Sequence, residues 1–203
     1  TQSPSSAASD VYKRQRLKDA NGEAFYDFSK TAADAFIIGR RILQNAEEAQ
    51  ELTADADAAL QEQIEIASLA WETCIAATVI HYINDVIADM GDMAPPSYGS
   101  LDNFINLTKH WGEMKGFALG LQFSPVSPFR TADSIGGIDG TEALRRVLSL
   151  MGDAPVLADG SQGGVGPSGT AAEALAAYEA KLLEARDLMQ EAYDLNPDAV
   201  SIW

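Results

Sequence analysis

Two histidines, each with a carboxylate at helical spacing, are the residues in this chain best suited to chemistry. His110 and Glu113 stand three apart, and His81 and Asp85 four apart, so within a helix each pair shares a face. Two imidazoles with one or two carboxylates make a donor set for zinc or iron. Helical bundles build metal centres from inward-facing pairs of this kind. Asn84 falls on the same side as His81. The alternative reading gives these groups to the core, with Glu113 accepting a hydrogen bond from His110 or His81. If the two segments are antiparallel neighbours, as the loop between them permits, the two polar patches can converge.

Other chemistries lack their residues. There is no serine elbow and no Cys/His arrangement, and no second carboxylate can be set against Glu113 as a glycosidase pair. Cys74 is the single cysteine and sits in an apolar helical run, which reads as a small buried hydrophobe rather than a nucleophile. Gly164, Gly166 and Gly169 spell G-x-G-x-x-G, but no strand precedes them and Pro167 lies inside, so a connector ending in a helix cap is expected and not a dinucleotide loop. Glu47, Glu48, Glu51, Asp55 and Asp57 lack the alternation of a calcium loop and read as capping and solvation. No enzyme is expected.

The elements that must position the histidines are helices. His110 lies in LDNFINLTKHWGEMKGFALGLQF (Leu101 to Phe123), which as a helix from Asp102 to Gln122 sets Phe104, Leu107, Trp111, Met114, Ala118 and Leu121 on one apolar face. Gly112, Gly116 and Gly120 recur every four residues beside it, and the spacing predicts that another backbone packs close. His81 lies in a proline-free segment predicted helical from Ala54 to Met90, with Thr53 as its N-cap. Pro95 and Pro96 turn the chain between the two. Further helices are predicted over Glu23 to Ala46, Thr141 to Met151 and Ala171 to Tyr193. With no convincing strand, the fold class is all-α, an up-and-down helical bundle.

Composition bounds the partners. The 203 residues carry a formal net charge of −16 with no basic cluster, which repels phosphate backbones, so no nucleic-acid partner is expected. The longest uncharged run in the core helices, Thr73 to Asn84, is short of the roughly 20 apolar residues that cross a bilayer. Ser5 to Gln15 reads as the in-frame translation of a common sequencing adapter, so residues 1–15 are set aside as not native. Residues 16–203 are expected to form a single bundle domain, the C-terminal part of a longer protein.

HWGEMKGF (His110 to Phe117), AFIIGRR (Ala35 to Arg41), HYIND (His81 to Asp85) and the terminal LMQEAYDLNPDAVSIW together resemble the imelysin-like bacterial cell-envelope proteins, in particular the branch called domain of unknown function 4856. The resemblance implies an all-helical fold, a periplasmic or outer-surface location, often as a lipoprotein held to the membrane by an N-terminal lipid anchor, cell-envelope protein partners, and an association with iron uptake. It also implies metal binding through a G-x-H-x-x-E motif. His110 and Glu113 match its last two positions, and Thr108 stands at the glycine. The peptidase label of some relatives does not carry over, because the helical HExxH arrangement is absent.

Overall fold

The computed structural model describes residues 22, 24–93 and 100–203. They form seven helices and, among the described residues, no strand, so the chain is an all-α helical bundle. The helices are α1 (Phe28–Ala49), α2 (Ala54–Asp92), α3 (Leu101–Gly120), α4 (Pro128–Thr131), α5 (Gly140–Met151), α6 (Ala171–Ala192) and α7 (Pro197–Ile202). The adapter-like residues and the Pro95–Pro96 turn lie outside the described residues. The contacts divide the chain into two compact units, residues 1–75 and 76–203, with the boundary inside α2.

In the first unit, α1 starts on the Asp27 side chain, which accepts from the Lys30 amide at 2.9 Å, and ends at Gln50 in the left-handed region (φ 54°). The predicted start at Glu23 is five residues early. Thr53 caps α2 as expected, its hydroxyl accepting from the Ala56 amide. α2 runs 39 residues without a break. By length and composition alone it is sufficient to cross a membrane, contrary to the expectation from its uncharged run. Its most apolar residues, Val79, Ile80, Ile83 and Val86, are fully buried, as in a core helix.

The second unit holds the larger core: those residues of α2 with Leu107, Met114 and Ala118 of α3, Val147 and Met151 of α5, and Leu182 and Met189 of α6. The apolar stripe of α3 is narrower than its spacing predicts. Leu107, Met114, Ala118 and Leu121 are buried, but Phe104 is 42% exposed and Trp111 half-buried. The glycine expectation fails. Gly112, Gly116 and Gly120 are all exposed, and a methyl group built on any of them meets no atom within 4 Å among the described residues. Helix α5 packs on α6, α4 and α3. The glycine-rich connector is irregular as predicted, folded by isolated bridges from Gln162 to Val156 and Val165. It ends at Thr170, whose hydroxyl caps α6 while Glu173 reaches back to the Thr170 amide. Pro197, expected to stop a helix, also opens the short α7.

Candidate metal centre

Polar groups from α2 and α3 converge inside the second unit. On α2, His81, Asp85 and Asp89 recur every four residues and so share one face. His81 is buried, and its Nε2 lies 3.0 Å from Asp85 Oδ2. On α3, His110 Nδ1 lies 2.7 Å from Asp89 Oδ2, and its Nε2 is 3.9 Å from the same Asp85 oxygen. The convergence of His81, Asp85 and His110 expected for antiparallel neighbours is therefore present. Tyr82 packs between the histidines and Phe117, its ring centroid 4.7 Å from His81, 5.9 Å from His110 and 6.0 Å from Phe117.

Asp89 was not legible as a member of this cluster, although its place four residues after Asp85 was the available signal. Its side chain is 14% exposed. Burial pushes its carboxyl above the ordinary carboxylate range, and the hydrogen bond and charge of His110 draw it back only in part. An ionised Asp89 can only accept, so Nδ1 of His110 carries the hydrogen. In the neutral ring that leaves Nε2 as the lone-pair nitrogen, turned toward Asp85.

Glu113 follows His110 by one turn of α3 and forms no ion pair among the described residues. Its Oε2 is buried with no hydrogen-bond partner there, a costly state for a carboxylate oxygen. Asn84, placed by sequence beside His81, serves the C-terminus instead. Its amide donates to the carbonyl oxygens of Val200 and Trp203, and its oxygen accepts from Arg186. Cys74 is half-buried and in no disulfide.

The donors present, two imidazoles and surrounding carboxylates, suit zinc or ferrous iron. Among the described residues, no three His, Cys, Asp or Glu side chains stand as a ready-made metal cage. The groups are instead held against one another in histidine–carboxylate contacts. Compared with known proteins, the chain matches no family model, no curated protein and no solved structure.

Proposed function

We propose that this chain is a helical cell-envelope module that binds a divalent transition metal, zinc or iron, through His81, Asp85 and His110, with Glu113 as the further ligand. The observation that carries this reading is the single Asp85 oxygen faced by two imidazole Nε2 atoms, at 3.0 and 3.9 Å. Donor atoms around a tetrahedral zinc with bonds of about 2.0–2.1 Å stand roughly 3.3 Å apart, so the two separations straddle what a shared ion requires. The buried, unpartnered Glu113 oxygen agrees with a missing positive charge. The periplasmic or outer-surface location, the lipid anchor, an envelope partner and the role in iron uptake rest on the resemblance of HWGEMKGF, AFIIGRR and HYIND to segments of imelysin-like proteins.

A second reading is favoured by one observation: the imidazoles already contact carboxylates. On that reading His110 is a satisfied core group of an interaction domain without metal, held by Asp89 and Asp85, whereas Glu113, expected to be satisfied with it, keeps an unpartnered oxygen among the described residues. The two separate by elemental analysis of the purified chain after growth with zinc and iron. About one metal per chain in the parent, lost in the His110→Ala, Asp85→Ala double variant with helicity retained, supports the metal reading. A metal-free parent that also fails to take up either ion on titration overturns it.

A further inference from the structure

The second unit builds one small motif twice. SIGGI (134–138) and SQGGV (161–165) each close a two-residue turn, with both central glycines at positive φ, 60° and 77° in the first, 60° and 81° in the second. In each, the residues flanking the glycines exchange both backbone hydrogen bonds, Ile135 with Ile138 and Gln162 with Val165. A tight hairpin of this kind needs φ > 0 at two successive positions, which only glycine adopts freely. Each hairpin then leads into a capped helix, α5 from Asp139 and α6 from Thr170, whose first turns share the run Glu-Ala-Leu at 142–144 and 173–175. Between hairpin and helix each copy leaves a groove.

The grooves differ where the side chains differ. Aligned on Glu-Ala-Leu, Arg145 and Arg146 of α5 fall at Ala176 and Ala177 of α6. In the first groove both arginines are satisfied from within the chain, Arg145 by Glu142, and Arg146 by Glu184 at 2.8 Å. In the second, the short Ala177 lines a cavity of about 260 Å³ that reaches Lys181, one turn further along. Lys181 has no hydrogen bond or ion pair among the described residues. The nearby carboxylates are engaged: Asp159 accepts from Ser161, Glu173 from Thr170, and Glu184 from Arg146. The backbone N–H groups of Gly166 and Ser168 and the Ser168 hydroxyl belong to residues that line the same cavity, and none is hydrogen-bonded among the described residues. Apolar wall comes from buried Val156, from Pro167, and from Val165, which is 72% exposed.

We infer that this cavity binds a small monocarboxylate with a short apolar body, its head group held by Lys181 and the free donors of Gly166 and Ser168, its body against Val156, Val165 and Pro167. The ligand supplies from outside the carboxylate that Glu142 and Glu184 supply to the first groove from within the chain. An ammonium with N–H and O–H donors beside it favours an anion, since each of these groups gives a hydrogen bond that a negative oxygen accepts most strongly. One lysine in a chain of net charge −16 balances a single negative charge, so a carboxylate fits better than a phosphate group, which carries about −1.5 to −2. The volume lies just under that of most ligand pockets, about 300–1,000 Å³, which limits the body to a few carbons or one ring.

The test is an NMR titration of the isotope-labelled full chain in phosphate-free buffer, following the backbone amides of Val165, Gly166 and Ser168. Hexanoate and benzoate shift these signals saturably, with Kd at or below about 1 mM. Acetate, the head group without the body, binds at least about tenfold more weakly, and hexanamide, the body without the charge, at least about fivefold more weakly. Lys181→Gln weakens hexanoate binding by about fivefold or more, and Lys181→Arg retains it. Ala177→Arg, which installs the side chain of the first groove, abolishes binding with helicity unchanged by circular dichroism. Absence of a saturable shift with either acid, equal affinity for hexanoate and hexanamide, or an affinity indifferent to both Lys181→Gln and Ala177→Arg overturns the inference.

Discussion

Lys115 of α3 closes the C-terminal end of α5, its ammonium donating to the carbonyl oxygen of Gly152 at 2.7 Å and to that of Leu148 at 2.6 Å. The last carbonyls of a helix have no partner within it, and a cation there also faces the negative end of the helix dipole. The side chain is 15% exposed, and burial pulls its pKa below the ordinary lysine value although Asp153 pushes the other way. Asp153 itself is fully exposed at 3.9 Å, so the two carbonyls are the interaction that matters. Lys115→Met keeps the aliphatic stem and leaves both oxygens without this donor. The expected cost is about 1.5–3 kcal/mol, read as a lowered urea midpoint at pH 7; an unchanged midpoint refutes the capping role.

Tyr178 of α6 serves the same helix end. Its hydroxyl donates to the Met151 carbonyl at 2.6 Å and accepts from Trp111 Nε1 at 2.9 Å. Burial is the larger influence on this phenol and raises its pKa well above the ordinary tyrosine range, with the Trp111 hydrogen bond opposing. The folded state therefore keeps the Tyr178 proton at pH values where the unfolded chain has lost it. Stability from this group is complete below pH 10 and falls as pH rises beyond it, by up to about 1.4 kcal/mol per unit. Tyr178→Phe is expected to cost about 1–3 kcal/mol at pH 8 for the lost hydrogen bonds. Above pH 10 the gap to the parent should narrow, because the variant lacks this titration. Urea unfolding of both proteins from pH 8 to 11 measures it, and a constant gap contradicts the assigned protonation.

Asp89 touches His110 and, on the metal reading, acts through it. A carboxylate on the second nitrogen of a metal-bound imidazole fixes the ring and raises its basicity, and its loss costs about 10–100-fold in affinity. Asp89→Asn can still accept from Nδ1, so the ring stays oriented while the negative charge goes. The expected result is zinc affinity weaker by about tenfold or more with unchanged stoichiometry, measured by competition with a chelating dye. Affinity equal to the parent's removes Asp89 from the site.

The helices were readable where local signals coincide. Thr53 before the proline-free run caps α2 as expected, and the glycine-rich connector ends in a cap as expected, although the reciprocal pairing of Thr170 with Glu173 there was not read from the sequence. The meeting of His81, Asp85 and His110 was only conditional in the sequence, because helical spacing places residues on a face without saying which faces oppose. Trp111 shows the limit from another side. Spacing assigns it to the core, but its half-buried ring sends Nε1 to Met151 and Tyr178, 40 and 67 residues away, a pairing no local pattern encodes. The exposed Phe36 and Trp71 were equally hidden, since an apolar residue announces a need for burial and not whether this chain supplies it.

Gly116 tests the reading that the structure overturned. Recurrent glycines on a helix arise where another backbone needs the space, and that was the expectation for Gly112, Gly116 and Gly120. Here the residue is exposed, and a Cβ at Gly116 would meet nothing within 4 Å among the described residues. The glycine then contributes only its conformational freedom, which favours the unfolded chain. Gly116→Ala should stabilise the protein by about 0.5–1 kcal/mol, through helix propensity and a less entropic unfolded state. For a chain of this size that is a rise in Tm of roughly 1–4 °C. Gly116→Leu, which a close helix contact would make strongly destabilising, should melt within a few degrees of the parent. If calorimetry instead shows both variants melting well below it, a backbone does pack on this face and the glycine stripe is an interface after all.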